Sequence, residues 1–424
     1  MINKILNTFG SNVAVAIFNL LIAIIVSQYL GAAAKGSQSI IITTIALVLV
    51  MCNIAGGATL VFLIPRYKDI LVMLPSYVWS IIVTAILYFF LTFFSFVPQQ
   101  YVHHICILSL ISSFTAINMM VLLGHERIYR KNFVAVIQIF SVVLVLSFLF
   151  FVQENKSIHA YIIALYAGYS LSFIVSILYV WPLLGPKSTR KNTDLKQLLK
   201  EMFRYGFLNQ LSHIFQLLSI RLSYYFLLGL SGESSVGIYS NAVSLVESVW
   251  LISKSIATVQ YARIANSNDQ VYARTLTVKL LKTSVIISIV MLLPLLLLPA
   301  QFFVFLFGNE FGSVGSIILF LAPGIIIYNL AIIIGHYFSG RGQYHINTFS
   351  TLIGLLSTLI LCPLLISYFN IYGAALATVF SFTLMGFFVS IVFIKQTKIS
   401  WVKLLPARED FVEARNLLRR FLKR

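Results

Sequence analysis

The chain has 424 residues, of which 59% are hydrophobic and only 10% are charged. Because soluble domains carry about 25% charged residues, this composition excludes an ordinary soluble protein and indicates a membrane protein. The three cysteines lie within apolar runs, which argues against a disulfide framework or a metal cluster. The formal net charge of +18 suits either nucleic acid or an anionic membrane surface.

Long apolar segments recur along the whole chain. A membrane-spanning helix needs roughly 20 mostly apolar residues. The first such segment is longer than the core of a signal peptide and ends without a small-residue cleavage site, so we expect it to be retained. The segments predict an all-α polytopic membrane protein with twelve transmembrane helices, at about 8–30, 37–64, 70–97, 102–123, 132–152, 158–184, 204–230, 236–262, 277–299, 313–339, 345–368 and 371–394.

The basic residues fall mainly on one side of the membrane if these twelve spans alternate in direction. Arg66, Arg341 and the loop at 185–204 lie on the same side as the two termini. The opposite side has Lys35 and Lys156 as its basic residues. Under the positive-inside rule, this asymmetry predicts that both termini are cytoplasmic. The basic excess then faces anionic membrane lipids, which removes the argument for a nucleic-acid partner.

The second half of the chain repeats features of the first. Spans one and two are joined through Leu30-Gly31 and Lys35-Gly36, and spans seven and eight through Leu228-Gly229 and Gly237. With six spans on each side of a basic loop, this repeat predicts two six-helix bundles related by an axis along the membrane normal. Transporters are commonly built from such repeats, with the substrate site at their interface.

The bundles and the segments outside them define four predicted regions. These are an N-terminal six-helix bundle at 1–184, a cytoplasmic basic interfacial linker at 185–203, a C-terminal six-helix bundle at 204–396 and a cytoplasmic tail at 397–424. The linker contains a short amphipathic helix that begins at Thr193. From Pro406 onward the tail has acidic residues first, basic residues last and an apolar stripe, a pattern typical of a basic amphipathic helix on the inner leaflet. A solvated basic helix is the alternative for the tail.

Ionisable residues occur at bilayer depth in spans seven and eight. Arg221 lies in span seven, and Glu247 and Lys254 lie seven residues apart on one face of span eight. We identify no comparable charge in the other predicted spans, and charges inside hydrocarbon usually mark a functional site. Two interpretations stay open, because the three residues can line a substrate cavity or form a structural ion network. Glu247 is also a candidate site for ion coupling.

Three short motifs resemble the Wzx-type polysaccharide or O-antigen flippases of the multidrug/oligosaccharidyl-lipid/polysaccharide (MOP) exporter superfamily. They are Tyr29-Leu30-Gly31, Arg204-Tyr205-Gly206 and the sequence LLGLSGESSVGIYS that ends at Ser240. The resemblance implies a MATE-like transporter of the bacterial inner (plasma) membrane that moves undecaprenyl-diphosphate-linked oligosaccharide, an O-antigen or capsule repeat unit, by alternating access. It implies neither an enzyme activity nor a cofactor, and it makes polysaccharide polymerase or assembly proteins candidate partners. An Asp-Arg pair that family members often carry in span seven is replaced here by Tyr224-Tyr225.

The substrate that this resemblance implies carries a diphosphate and sugars. Arg221 can bind a phosphate group through a fork of donors, and Lys254 can serve as a compact point charge. Sugars need hydrogen-bonding groups and aromatic faces, which adds candidates from several spans: His213, Tyr224, Asn53, Asn19, Asn329 and His336. Buried amides more often join helices than bind substrate, and that alternative applies to Asn53 and Asn19.

Two other functions compete with the flippase hypothesis. An ion-coupled drug or cation antiporter of the same fold would use Glu247 as its coupling site. A membrane glycosyltransferase or polymerase that acts on the same lipid would need a catalytic acid or base, usually held in a sizeable outer loop. The predicted outer loops are short and contain no Asp, which disfavours the enzyme.

Overall fold

The structure is a computed structural model that describes residues 2–184, 195–267 and 269–405. All regular secondary structure in these ranges is helical, with three short 3-10 turns beside the α-helices. The α-helices are α1 (Ile2–Gly56), α2 (Ala58–Leu63), α3 (Asp69–Phe94), α4 (Gln99–Gly124), α5 (Ile128–Phe151), α6 (Ile158–Val180), α7 (Leu195–Ser248), α8 (Trp250–Ala265), α9 (Gln270–Leu297), α10 (Ala300–Phe307), α11 (Val314–Gly340) and α12 (Tyr344–Thr397). The predicted basic helix from Pro406 onward lies outside the described residues.

Nine helical stretches in the described ranges are long and apolar enough to cross a membrane. Three of them contain a residue with non-helical backbone torsions, namely Gly31 in α1, Gly232 in α7 and Asn370 in α12. Each of these residues divides its helix into two segments, so the nine stretches provide the twelve helical segments that the sequence predicts. The second part of α7 continues into α8 across Val249, which keeps helical torsions. The predicted all-α polytopic fold is therefore confirmed.

Two glycines show that the connections within α1 and α7 are single residues rather than loops. Gly31 has φ 79° and ψ −175°, and Gly232 has φ 81° and ψ 173°. Side chains strongly disfavour such positive φ values, which glycine tolerates. Lys35, predicted in an outer loop, instead lies inside α1, where it is 5% exposed and its Nζ donates to Ser39 Oγ at 3.2 Å. The N-terminal half of the chain therefore contains a buried cation that the sequence analysis missed.

The matching torsions of Gly31 and Gly232 also correct the register of the internal repeat. We expected Gly31 to correspond to Gly229, but Gly229 is an ordinary helical residue of α7. With Gly31 paired to Gly232, the second glycines Gly36 and Gly237 follow at the same interval. In this register Asn53 and Lys254 occupy equivalent positions along the two repeats. The axis that relates the two bundles stays a prediction.

The chain folds into two compact units, Met1–Ile214 (unit 1) and Phe215–Arg424 (unit 2). In unit 1, α4 packs against α1, α3 and α6, and α5 packs against α1 and α6. In unit 2, α11 packs against α8, α9 and α12. Large aromatic side chains fill the core of unit 2, including Trp250, Tyr328 and Phe382, which are at most 2% exposed.

The first turns of α7 belong to unit 1. We predicted that residues 193–203 form a helix at the membrane interface, and residues 195–203 are indeed helical. However, Leu198 and Met202 are buried against Ala55 and Leu60 of the first span pair. Tyr67 Oη also donates to Glu201 Oε2 at 3.0 Å. The side chains of Leu198 and Met202 are therefore packed into unit 1, which extends along α7 to Ile214.

A second charged residue is buried where α3 begins. Asp69 is 7% exposed, and its Oδ2 lies 2.8 Å from Nε2 of His125, which caps the end of α4. This contact ties the ends of α3 and α4 together. Asp69 lies just before the predicted span 70–97, so this buried charge is at a helix end rather than inside a predicted span.

Candidate functional site

The two segments of α7 bring Arg221 and Glu247 together in unit 2. Arg221 Nη2 donates to Glu247 Oε2 at 2.7 Å, and Nη1 donates to Tyr224 Oη at 2.9 Å. Arg221 and Tyr224 are three residues apart, which places them on one face of the first segment. Glu247 comes from the second segment, beyond the break at Gly232. The pair is partly buried, with side chains that are 24% and 21% exposed.

This ion pair explains how the charges are tolerated at bilayer depth. An unpaired arginine or glutamate inside hydrocarbon is costly, and a close pair with a short hydrogen bond offsets part of that cost. The guanidinium has five N–H donors. The contacts to Glu247 and Tyr224 use two of them, so Arg221 retains donors for a further anion.

An aromatic cluster packs within the same unit as the charged pair. The rings of Trp250, Tyr328 and Phe382 have centroids 4.5 to 5.3 Å apart. Trp250 Nε1 donates to the carbonyl oxygen of Ile325 at 3.1 Å, and Gln216 Nε2 donates to Tyr328 Oη at 2.7 Å. Because the polar tips of Trp250 and Tyr328 have partners, these large side chains are held in fixed orientations.

A small cavity lies beside Glu247. Its volume is about 10 Å³, and Tyr239, Val243, Thr378 and Phe382 are among the residues that line it. That is close to the minimum needed for one water molecule. The Tyr239 and Thr378 hydroxyls already bond each other at 2.8 Å. The cavity therefore cannot hold a substrate group, although Glu247 at its edge can contact a water or a small cation.

Lys254 lies apart from the ion pair, on the exposed face of α8. Its Nζ is 5.7 Å from the centroid of the Trp250 ring. Within the described residues it makes no hydrogen bond or ion pair. Ser255 and Thr258 are also exposed on this helix, with hydroxyls that donate to carbonyl oxygens one turn earlier. Of the ion network considered above, the structure contains the Arg221–Glu247 pair, with Lys254 as a separate cation.

His336 and Asn329, both on α11, have different surroundings. His336 is partly buried and its Nδ1 donates to the carbonyl oxygen of Ile332 at 2.8 Å. That tautomer leaves Nε2 as an acceptor. Asn329 is fully buried, and its amide bonds Ser284 and Ser288 of α9 at 2.9 and 3.0 Å. Asn329 therefore joins α9 to α11.

The remaining candidates belong to unit 1. Asn19 is exposed on α1 and its Nδ2 donates to the carbonyl oxygen of Val15 at 3.0 Å. Asn53 is partly buried where α1 ends, with its carbonyl oxygen accepting from the backbone N–H of Gly57 at 2.9 Å. His213 is exposed on α7 and belongs to unit 1. The structure therefore brings together Arg221, Glu247 and Tyr224 from the predicted set.

Sequence reasoning did not single out Gln216, Trp250 and Tyr328, which form the cluster that Lys254 approaches through the Trp250 ring. The signal for Trp250 was present, because it lies three residues after Glu247 and four before Lys254, which is the spacing of one helix face. Tyr328 and Gln216 have no such signal, since they come from different helices.

Comparison with known proteins supports a transporter fold. No family model matches the chain. A probable low-salt glycan biosynthesis flippase, Agl15 of Haloferax volcanii, is 26% identical over 180 residues, and the match spans 40% of this chain but only 38% of that relative. A multidrug resistance MATE family transporter of the MOP superfamily, solved in an inward-facing conformation, superimposes with a TM-score of 0.71 at 16% identity, covering 91% of this chain and 94% of that one.

A second solved structure has the same fold. A MOP superfamily transporter from Pyrococcus furiosus, described as having a binding pocket of reverse polarity, matches with a TM-score of 0.63 at 13% identity over 94% of this chain and 95% of that one. At these identities the likeness establishes the architecture alone. The chain is thus a multi-pass membrane protein with the fold of the MATE transporters of the MOP superfamily.

Proposed function

We propose that the protein is a flippase for a lipid-linked oligosaccharide, with undecaprenyl diphosphate as the lipid carrier, and that Arg221 and Lys254 bind the diphosphate. The observation that carries the proposal is the charge of three residues in unit 2, the ion pair and the separate cation Lys254. Arg221, Glu247 and Lys254 together have a net positive charge, and Lys254 is exposed without an ion-pair partner in the described residues. The partial likeness to a protein named as a glycan biosynthesis flippase points to the same substrate class.

The two cations have different roles in this proposal. Lys254 is accessible and attracts the diphosphate as a point charge. Arg221 is held by Glu247 and Tyr224 and presents its remaining donors, which suit phosphate oxygens. Glu247 keeps the guanidinium paired before substrate arrives, so that no isolated charge stands at bilayer depth. Exposed hydroxyls on α8 and the His336 Nε2 acceptor supply contacts to sugar hydroxyls.

Ion-coupled drug or cation export is the second candidate, because the fold is shared with multidrug MATE transporters. Glu247 would be its coupling carboxylate. The 2.7 Å contact with Arg221 disfavours this function, since an already paired carboxylate attracts a cationic drug weakly. We propose a transport role without enzymatic activity, in which polysaccharide assembly proteins of the inner membrane are candidate partners.

Complementation tests the proposed function directly. A strain that lacks its own oligosaccharide flippase accumulates the lipid-linked intermediate and loses surface polysaccharide. We expect this protein to restore the polysaccharide when the strain makes the matching glycan, and we expect Lys254→Ala at equal protein level to fail. Resistance to cationic drugs without any restored polysaccharide would favour the antiporter and contradict the flippase.

A further inference from the structure

A groove on the surface of unit 1 is not explained by the transport site. It has a volume of about 340 Å³ and lies between the middle parts of α5 and α6. The residues that line it are almost all apolar and include Ile137, Phe140, Leu144, Ala167 and Leu171. Phe140, Leu144 and Leu171 are 40 to 54% exposed, so the groove opens to the outside of this unit.

Small residues create the groove. At Gly168 a Cβ atom would lie 2.4 Å from Val142 Cγ2 and 2.6 Å from the carbonyl oxygen of Gln138, so α6 touches the backbone of α5 at this point. Ala167 and Ser141 lie next to this contact and add little volume above it. The larger side chains of Phe140, Leu144 and Leu171 form the rims. The result is a slot between two helices that are firmly packed.

Arg130 lies at the end of the groove side of α5. Arg130 precedes Ile137 by seven residues, and Phe133 precedes Phe140 by seven, so both continue the groove side of α5 toward its first turn. The separation of about 10 Å follows from the rise of an α-helix. The Arg130 guanidinium carbon lies 5.2 Å from the centroid of the Tyr179 ring of α6. Phe133 packs on the same ring, with centroids 6.3 Å apart.

The surroundings of Arg130 are positive on balance. Arg127 and Lys131 are within the same short stretch, with Glu126 as the acidic residue there. This is the end of α5 that the positive-inside rule predicts to be cytoplasmic. Anionic lipids are concentrated in that leaflet.

We propose that this groove binds one anionic phospholipid of the inner leaflet, with an acyl chain in the slot between α5 and α6 and the phosphate on Arg130. Two observations specify the occupant. The slot is apolar and lies about midway along two membrane-spanning helices, a depth at which lipid acyl chains are the apolar molecules available. The Arg130 guanidinium at its end lies over the Tyr179 ring, and its planar set of N–H donors matches a phosphate group.

The selectivity of the site comes from the headgroup. Lipid tails are as apolar as leucine, so an acyl chain gains no hydrophobic free energy when it moves from the bilayer into the slot. Its contribution to binding comes from close packing. The charge-assisted hydrogen bonds of Arg130 to a phosphate are the stronger term. A phospholipid with a net negative charge is therefore preferred over phosphatidylcholine, whose choline cation is repelled by Arg127 and Lys131.

Native mass spectrometry of the purified full-length protein, titrated with phosphatidylglycerol or phosphatidylcholine, tests this site. We expect one tightly retained phosphatidylglycerol on the wild-type protein and weaker, unsaturated binding of phosphatidylcholine. Arg130→Gln is expected to weaken phosphatidylglycerol binding by roughly tenfold, the loss of a charge-assisted hydrogen bond. Ala167→Phe, which fills the slot, is expected to remove the same bound lipid.

Arg127→Gln is the matched control, because it removes the same charge from the same stretch, but Arg127 precedes the first residue of α5 whereas Arg130 lies against Tyr179. We expect it to retain the lipid. Equal loss in Arg127→Gln and Arg130→Gln, or equal retention of the two phospholipids by wild type, overturns the proposal. Since Arg130→Gln leaves the core unchanged, this comparison stands even when Ala167→Phe does not fold. Whether Arg130→Gln restores polysaccharide in a flippase-deficient strain is measured separately. The lipid site can fail or hold whatever substrate the protein transports.

Discussion

Arg221 and Glu247 are 26 residues apart in sequence, yet their side chains meet at 2.7 Å. They meet because the helix that carries both is interrupted at Gly232, where φ is 81°. A continuous α-helix would separate them by about 39 Å along its axis. The position of one glycine thus determines which charges are paired within unit 2.

We expect the Arg221–Glu247 pair to stabilise unit 2. Removing either partner leaves the other charge partly buried and unpaired, which costs about 3–5 kcal/mol at a fully buried pair and less here because the side chains remain about a quarter exposed. Thermal unfolding of Arg221→Met, Glu247→Gln and the double variant in detergent measures the coupling. The double variant should be more stable than the sum of the single losses predicts. Additive single effects would show that the pair contributes nothing.

Lys254 should matter for transport rather than for stability. It is exposed and has no ion-pair partner in the described residues, so Lys254→Ala should leave the melting temperature within about 1 °C of wild type, as expected of a surface change. Flippase activity should fall roughly tenfold or more, since a charge-assisted contact to the diphosphate is lost. Lys254→Arg should retain much of the activity. Lys395→Ala, an exposed lysine near the end of α12, is the control and should behave as wild type.

Two glycines of α7 provide a matched test of backbone conformation. A Cβ atom added at Gly229 or at Gly232 would meet no atom within 4 Å, so steric contact does not distinguish the two positions. Gly232 has a positive φ and Gly229 does not. Gly232→Ala should therefore destabilise the protein by about 1–2 kcal/mol, whereas Gly229→Ala should be neutral or stabilise it by up to about 1 kcal/mol. Unfolding by heat of the two variants measures the difference, and equal melting temperatures would refute the assigned break.

Asn329 should show the opposite behaviour from Lys254. Its amide is fully buried and bonds Ser284, Ser288 and two backbone carbonyls. Asn329→Ala leaves those groups unsatisfied, at a cost of about 1–3 kcal/mol. We expect a lower melting temperature with nearly unchanged transport per folded molecule. A large loss of transport at an unchanged melting temperature would contradict this expectation and support the sequence-based prediction that Asn329 contacts substrate.

The candidate site was predictable in part. Arg221, Glu247 and Lys254 stand out in sequence because ionisable residues are rare in apolar spans. The sequence left open whether they form one network, and the structure answers that Arg221 and Glu247 pair while Lys254 does not join them. Lys35 was placed in a loop because two glycines, Gly31 and Gly36, mark the join in sequence, and the sequence does not show that Gly31 alone interrupts the helix. Asn329 and Asn53 look alike in sequence, although one is enclosed between α9 and α11 and the other lies at a helix end.

The sequence by itself determined the class of the protein and the number of its helical spans. A segment that crosses hydrocarbon must be a long apolar helix with few charges. This requirement concerns local composition, so it can be read directly from a chain with 59% hydrophobic and 10% charged residues. Only the tertiary structure decided which polar groups meet. Contacts such as Arg221–Glu247 and Gln216–Tyr328 depend on where single residues such as Gly232 turn the backbone and on how distant helices pack, and neither has a local pattern along the chain.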